Sequence, residues 1–170
     1  CEEMLGYPPE SSGLLVSGGS MANVLGLAVA RNVRAEFDLR RRGLCASPRT
    51  MVLYASREAH SSVQKAVELL GLGSDALRLI PVNAEFQVDV AALEAAVAAD
   101  RAAGAYPFCV VGCAGTVNTG AFDDLERLAD LCRREGMWFH VDGAFGALAA
   151  LSPELQPLVR GMERADSLAF

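Results

Sequence analysis

The stretch that decides the fold is WFHVDGA, Trp138–Ala144, in which an apolar run ends abruptly in a carboxylate. Buried parallel strands have this apolar pattern, and open α/β sheets bind their ligands at the carboxyl ends of such strands. We therefore expect Asp142 to lie at the ligand edge of a parallel sheet and to need a cationic or donor partner. The alternative is that Asp142 caps a segment that begins near Phe145.

The composition is that of one ordinary domain or a large part of one. The chain has 170 residues, of which 52% are hydrophobic, and its 21 acidic and 15 basic residues give a net charge of −6. Without a basic cluster that contains aromatic side chains, a nucleic-acid role is not expected. The five cysteines form no CxxC pair, which argues against a disulfide framework and suits a reducing cytoplasm. No apolar run is long enough to span a bilayer, so we expect a cytoplasmic protein without a membrane segment.

Both ends of the sequence suggest a piece of a longer chain. It begins at Cys1 instead of methionine, and it stops inside the apolar segment Ser167–Phe170. We therefore expect residues 1–170 to form part of a truncated domain.

Apolar periodicity predicts strands that alternate with helices. The predicted strands are 51–54, 78–82, 108–113, 137–141 and 167–170, and the predicted helices are 21–42, one from about 61, one from 89, and 123–136. The two acids Asp123 and Asp124 suit the positive start of the last helix. This alternation predicts an α/β fold with three α/β/α layers and a mostly parallel sheet. Four loops then meet at one edge of that sheet, namely 18–20, 56–60, 115–118 and 142–144.

The loop Ser17–Ser20, with the sequence SGGS, opens the first long helix. Free backbone N–H groups, the positive end of the helix dipole and the Ser20 hydroxyl are suited to binding a phosphate. Simple helix capping is the alternative. The loop lacks the lysine of a P-loop and the third glycine of a dinucleotide fingerprint, so ATP and NAD are poor candidates.

The two histidines have different expected roles. His60 lies between a strand and a helix, where its ring can stack on an aromatic cofactor and hydrogen-bond a substrate. The alternative is a helix-start residue bonded to nearby backbone. His140 is expected to point to the face of its strand opposite Asp142 and to be structural. A zinc site would need carboxylates or cysteines at no recognisable spacing, so no metal is expected.

Five motifs occur in order along the chain: SGGSMAN (17–23), AHSSVQKA (59–66), AGTVNTGAFDDL (114–125), WFHVDGAFG (138–146) and ADSLAF (165–170). Together they resemble the pyridoxal-phosphate-dependent group II amino-acid decarboxylases. That family includes the aromatic-amino-acid, histidine and animal-type glutamate decarboxylases. The resemblance covers essentially all 170 residues.

The resemblance implies the large, cofactor-binding domain of a fold-type I enzyme, with pyridoxal 5'-phosphate as its cofactor. His60 and Asp142 are the implied catalytic residues. Six residues are implied to contact the cofactor: Gly19 and Ser20 at the phosphate, His60 stacked on the ring, Thr116 near the phenolic oxygen, Asp142 at the ring nitrogen, and Ala144 on the opposite ring face. A carboxylate beside the pyridine nitrogen raises the pKa of that nitrogen and keeps it protonated, which makes the ring an electron sink.

The sequence also departs from the family pattern. The family binds its cofactor covalently through a lysine in an Asp-x-His-Lys segment, which would follow the strand that here ends at Phe170. The only lysine, Lys65, lies in the helix after His60 and does not match that position. Val117 stands where many relatives have a second threonine. The small C-terminal domain and the mobile loop that supplies a tyrosine acid are also absent from residues 1–170.

For the complete protein, the resemblance implies decarboxylation of an L-amino acid to an amine and CO₂ by a homodimer. The order of GTVNTGAFDDL before HVDGAFG favours a decarboxylase. The alternatives are another fold-type I enzyme, such as an aminotransferase, a cysteine desulfurase or an aldehyde synthase, or a non-catalytic fragment or pseudoenzyme. The substrate pocket is implied to lie largely in segments outside this sequence, so the sequence names no particular amino acid.

Overall fold

The computed structural model describes residues 2–170, which form a five-stranded sheet with helices on both faces. The strands are β1 (Met51–Ser56), β2 (Leu77–Ile80), β3 (Tyr106–Cys113), β4 (Trp138–Asp142) and β5 (Ser167–Ala169). Their order across the sheet is β2-β1-β3-β4-β5, and each neighbouring pair is parallel. The prediction of a mostly parallel sheet is therefore confirmed.

Six α-helices lie in the described part of the chain. They are α1 (Glu2–Leu5), α2 (Gly19–Arg34), α3 (Leu39–Arg42), α4 (Ser61–Leu69), α5 (Val90–Ala102) and α6 (Leu125–Glu135). Helices α2 and α4 pack on one face of the sheet, and α5 and α6 pack on the other. Between residues 2 and 170, no helix is both long enough and apolar enough to cross a membrane.

Strand β1 shows how one sequence supplies two cores. All six of its residues are buried. Leu53 and Ala55 pack with α2 and α4, whereas Val52 and Tyr54 pack with α5 and α6. Successive side chains of a strand point to opposite faces, so a continuous apolar run is what a sheet covered on both sides requires. The three-layer α/β/α prediction is confirmed.

The predicted helix over residues 21–42 is wrong in its extent. Helix α2 begins two residues earlier, at Gly19, and ends at Arg34, after which Ala35 is extended with φ −62° and ψ 127°. The cations at 40–42 belong to the separate one-turn helix α3, which Asp38 caps by accepting a hydrogen bond from the Arg41 N–H at 3.1 Å. A local side-chain cap thus starts a new helix where the periodicity indicated a continuous one.

Candidate active site

The predicted loops meet at the carboxyl edge of the sheet, where β1, β3 and β4 end at Ser56, Cys113 and Asp142. The start of α2 reaches this edge through Gly19, because a Cβ placed there would lie 2.9 Å from the Cβ of Ala144. The loop after β3 lies beside the loop after β4, since Ala114 N–H donates to the Asp142 carbonyl at 2.9 Å. Three loops from distant parts of the chain therefore surround Asp142.

Asp142 is the central carboxylate of this edge and is only 8% exposed. Its Oδ2 accepts a hydrogen bond from the Asn23 side-chain amide at 2.9 Å, and its Oδ1 accepts a longer one from Ala144 N–H at 3.3 Å. A carboxylate has about four lone-pair sites, so Asp142 can accept a further donor. The capping alternative is correct in part, because Asp142 Oδ1 accepts from Ala144 N–H at the start of the turn over residues 144–146, whereas the 3₁₀ segment Ala147–Leu151 that follows has no side-chain cap.

Asn23 is a member of the site that sequence reasoning did not single out. It is 1% exposed on α2, and its amide contacts three partners: Asp142, the Ser62 hydroxyl at 3.0 Å, and Nε2 of His140 at 2.9 Å. The signal for it was present, since a buried amide on the apolar side of a helix must find hydrogen-bond partners. The identity of two of these partners, His140 and Asp142, could not be read from the local sequence, because each lies more than 100 residues from Asn23 along the chain.

The expectation that His140 faces away from Asp142 is wrong. Residues two apart on a strand share a face, and both side chains contact Asn23. His140 is fully buried, with Nδ1 at 2.8 Å from the Ser167 hydroxyl. Burial lowers the pKa of His140 to about 4, although the nearby Asp142 carboxylate acts in the opposite direction. The ring is therefore neutral at physiological pH.

His60 follows β1 and begins α4. Its Nδ1 accepts a hydrogen bond from Ser62 N–H at 3.2 Å and lies 2.9 Å from the Ser62 hydroxyl. The helix-start interpretation of His60 is thus correct as far as this ring nitrogen is concerned. Capping uses only an edge of the exposed ring and leaves its faces available to a ligand, so the stacking interpretation is compatible with it.

The N-terminus of α2 has the geometry of an anion-binding site. Gly18 precedes the helix with φ 149°, a conformation that favours glycine, and no side chain caps the helix. The carbonyl of Gly18 accepts hydrogen bonds from Met21 and Ala22, and Ser20 is exposed in the first turn. The N–H groups at this end and the helix dipole can therefore bind a phosphate.

Thr116 is buried in the loop after β3, and its hydroxyl is used within that loop. It lies 2.6 Å from the Thr119 hydroxyl and accepts a hydrogen bond from Ala121 N–H at 3.2 Å. The neighbouring Val117 is exposed. The Thr116 side chain therefore holds the shape of the loop that borders Asp142.

Asp123 does not play the part expected from its position before α6. It is 3% exposed, and its two oxygens accept hydrogen bonds from Val88 N–H at 2.7 Å and Cys113 N–H at 2.8 Å. Burial raises the pKa of Asp123, and the two backbone hydrogen bonds oppose that shift. Asp124 alone caps α6, through Arg127 N–H at 3.1 Å. The prediction of two acids at the helix start thus holds for only one of them.

Comparison with known proteins identifies a family for the whole sequence. The pyridoxal-dependent decarboxylase conserved domain matches residues 1–170. The aromatic-L-amino-acid decarboxylase of Bacillus atrophaeus is 41% identical over 169 residues, which are 99% of this chain and 33% of that protein. Human cysteine sulfinic acid decarboxylase is 39% identical over 158 residues, which are 93% of this chain and 32% of that protein.

A solved structure shares the fold. The crystal structure of mouse CSAD in apo form superposes with a TM-score of 0.94 at 36% sequence identity, over 98% of this chain and 35% of that chain. The match confirms the fold-type I prediction. The chain spans about one third of the length of the curated relatives it matches.

Proposed function

The chain belongs to the pyridoxal-dependent decarboxylase family, and from that premise we propose that the complete protein converts an L-amino acid to the corresponding amine and CO₂. Pyridoxal phosphate is the cofactor of this family. The observation that carries the proposal is Asp142, a buried carboxylate at the carboxyl edge of a parallel sheet that can still accept a donor. Ligands of open α/β sheets bind at this edge.

The residues at this edge fit a pyridine ring that carries a phosphate arm. Gly19 and Ser20 would bind the phosphate at the uncapped start of α2, where the absence of a Cβ on Gly19 lets the backbone approach Ala144. Asp142 would accept a hydrogen bond from the protonated ring nitrogen. His60 would stack on one face of the ring and Ala144 would pack on the other, with the Thr116 loop near the phenolic oxygen.

When bound, the cofactor supplies an aromatic ring that takes up the electron pair left by the departing CO₂. Asp142 would support that chemistry by keeping a proton on the ring nitrogen, because a nearby carboxylate favours the charged form of a base. Its burial strengthens this effect, since little water screens the pair. Asn23 and Ala144 hold the two carboxylate oxygens in place by hydrogen bonds of 2.9 and 3.3 Å.

We propose that residues 1–170 are part of the large domain and that the lysine that binds the cofactor lies elsewhere in the complete protein. Lys65 is exposed on α4, whereas Asp142 is buried at the end of β4, so Lys65 is a poor candidate. The two curated relatives named above differ in their substrates, one aromatic and the other a sulfinic acid. The proposed substrate class is therefore an L-amino acid without a specified side chain.

We also propose that the complete protein is a cytoplasmic homodimer. The support is a row of apolar side chains that are about half exposed or more on the segment after the site: Phe145, Leu148, Leu151, Leu155 and Leu158. Exposed apolar patches of this kind are typical of surfaces that other protein segments cover. Analytical ultracentrifugation of the full-length protein measures the oligomeric state, and a monomer at micromolar concentration would contradict the dimer.

The function is tested by adding pyridoxal phosphate to the full-length protein, desalting it, and recording its visible absorption spectrum. We expect a retained cofactor band and release of CO₂ from at least one member of a panel of aromatic and acidic L-amino acids. Product analysis separates an amine, which supports a decarboxylase, from an aldehyde, which supports an aldehyde synthase. A correctly folded protein that retains no cofactor would overturn the proposal.

A further inference from the structure

Seven side chains form a continuous hydrogen-bonded relay beneath the candidate site. Its links are Trp138 Nε1 to Ser167 Oγ (2.8 Å), Ser167 Oγ to His140 Nδ1 (2.8 Å), His140 Nε2 to Asn23 Oδ1 (2.9 Å), Asn23 Nδ2 to Asp142 Oδ2 (2.9 Å), Asn23 Nδ2 to Ser62 Oγ (3.0 Å), and Ser62 Oγ to His60 Nδ1 (2.9 Å). The relay connects β4 and β5 with α2 and the start of α4. Two of its members, Asp142 and His60, are the residues to which we assign the ring nitrogen and the ring face.

The chemistry of Trp138 fixes the direction of the first link. An indole N–H can only donate, so the Ser167 oxygen accepts the hydrogen bond from Trp138. The hydroxyl hydrogen of Ser167 is then available for Nδ1 of His140. Ser167 can therefore donate to Nδ1, an arrangement that is compatible with a hydrogen on Nε2 of His140.

The chemistry of Asp142 fixes the direction from the other end. A carboxylate can only accept, so the NH₂ group of Asn23 faces Asp142 and the amide oxygen of Asn23 faces His140. An amide oxygen accepts only, which places the hydrogen of His140 on Nε2. A flipped Asn23 would put its oxygen against the carboxylate. The Asp142 end of the relay therefore requires a hydrogen on Nε2 of His140, and the Trp138 end is compatible with it.

The second N–H of Asn23 extends the relay to His60. It donates to the Ser62 hydroxyl, whose hydrogen can then go to Nδ1 of His60. The backbone N–H of Ser62 donates to the same ring nitrogen at 3.2 Å. One buried amide therefore holds Asp142 directly and holds His60 through Ser62.

The His140 ring is held by packing as well as by hydrogen bonds. A Cβ on Gly26 of α2 would lie 2.5 Å from Cε1 and 2.7 Å from Nδ1 of the ring, so the ring occupies the space that any other residue would fill. His140 has no exposed surface. The absence of a side chain at Gly26 is therefore what makes room for the ring beside Asn23.

We propose that His140 and Asn23 are positioning residues that set the orientations of Asp142 and His60 before a cofactor binds. The neutral ring of His140 orients the Asn23 amide, and the two N–H groups of that amide then hold the two cofactor-contacting side chains. This inference rests on the proposed function, because it assigns Asp142 and His60 to the ring. It goes beyond that function by giving roles to residues that do not contact the cofactor.

The test compares two substitutions of His140 in the full-length protein. His140→Gln can place an amide N–H near the Asn23 oxygen, whereas His140→Met fills a similar volume without a donor. A positioning role predicts that His140→Gln retains pyridoxal phosphate within a few-fold of the wild type. His140→Met should lose affinity by roughly 10-fold to 100-fold, the range found when groups that orient metal ligands are removed.

A purely structural role predicts a different result, because a buried Met packs at least as well as a buried Gln. In that case His140→Met would match or exceed His140→Gln in both melting temperature and cofactor affinity, and the proposal would be overturned. Tyr54→Phe is the matched control, since it removes the 2.9 Å hydrogen bond to Asp100 on the other face of the sheet. It should leave cofactor affinity unchanged.

A second measurement needs no cofactor. Nitrogen-15 NMR of labelled histidine in the cofactor-free full-length protein, assigned with His140→Gln, reports which ring nitrogen carries the hydrogen. We expect a neutral His140 with its hydrogen on Nε2. In Ser167→Ala, we expect His140 to show a weaker preference for the tautomer with its hydrogen on Nε2. A hydrogen on Nδ1 would overturn the relay even if the cofactor binds. A wild-type protein that keeps the expected tautomer but holds no cofactor would instead overturn the proposed function and the cofactor-directed role with it.

Discussion

The two buried aspartates beside Cys113 differ in what their oxygens are free to do. Asp142 is the register partner of Cys113 across β3 and β4, and Asp123 accepts a hydrogen bond from the Cys113 N–H. Burial and these two carboxylates raise the pKa of the Cys113 thiol well above its ordinary value. Asp123 uses each oxygen on a backbone N–H, at 2.7 and 2.8 Å, and so ties the segment before α5 to the end of β3.

Asp142 is held in a different way. The one backbone N–H that its carboxylate contacts in residues 2–170 is distant, at 3.3 Å, and its other partner is the side-chain amide of Asn23. Burial is similar for the two residues, with 8% exposure for Asp142 and 3% for Asp123. Partner geometry, more than burial, therefore separates a carboxylate that stabilises the fold from one that can bind a ligand.

The largest expected effect comes from Asp142→Asn in the full-length protein. The amide cannot hold a proton on the ring nitrogen as a carboxylate does, so the decarboxylation rate should fall about 10³-fold, the upper range for loss of one electrostatic contact to a reacting group. The urea midpoint should change little, because Asp142 ties down little backbone. Steady-state kinetics and urea denaturation measure both quantities. An unchanged rate would remove the distinction between the two aspartates.

Asp123→Ala should have the opposite profile. The N–H groups of Val88 and Cys113 lose their only side-chain acceptor while they remain buried, which costs about 1–3 kcal/mol for each group. We expect the free energy of unfolding to fall by about 3 kcal/mol, with a near-normal turnover rate per folded molecule. Urea denaturation measures the free energy of unfolding, and active-site titration gives the turnover rate per folded molecule. A stable variant with a lost turnover rate would show that Asp123, too, serves the reaction.

The two regions also differ in their response to pH. His140 has a pKa of about 4 when folded and 6.5 as its ordinary value, so the unfolded chain binds the proton first as the pH falls. The stability contributed by neutral His140 is complete above pH 6.5 and decreases between pH 6.5 and 4, by about 2 kcal/mol at pH 5. Asp123 acts in the other direction, because its raised pKa favours the folded state at low pH.

The measurement for His140 is the difference in unfolding free energy between the wild type and His140→Gln from pH 7 to pH 4.5. Other titrating groups contribute to both proteins and cancel in the difference. The difference should shrink steadily below pH 6.5. A constant difference over that range would contradict a buried neutral His140.

The smallest effect is expected from Asp124→Ala, which lies next to Asp123 in the sequence. Asp124 is an exposed N-cap that accepts one hydrogen bond, from Arg127 N–H, so its loss should cost about 1 kcal/mol. Urea denaturation of the two alanine variants side by side measures the contrast. Equal losses of unfolding free energy in Asp123→Ala and Asp124→Ala would mean that both acids act only at the helix start, as the sequence suggested.

The sequence was sufficient to predict features that depend on local patterns. The apolar run that ends at Asp142 placed this residue correctly at the end of β4, and Asp89, which accepts from Ala91 and Ala92, begins α5 as its position indicated. The α2 boundary failed because Asp38 starts a separate helix. The error at His140 is of another kind, because the alternation of side chains along a strand places residues 140 and 142 on the same face.

Long-range partners could not be predicted in this way. Asn23 meets Asp142 across 119 positions of sequence, and Asp123 meets Val88 across 35. A polar residue at a buried position must form hydrogen bonds, but its partner depends on how the layers pack against one another. The roles of Gly19, Ser20 and Ala144 toward a cofactor accordingly stay predictions that the binding experiments test.

The contact of the His140 ring with Gly26 also affects the position of α2 relative to β4. Gly19 and Gly26 lie seven residues apart on α2, which is about 10.5 Å along the helix axis. Because the ring occupies the space beside Gly26, a residue with a Cβ at this point of α2 would collide with it. This contact constrains where the start of α2 lies relative to the Asp142 carboxylate, and we expect it to restrict how far apart the anionic and basic ends of a bound ligand can be.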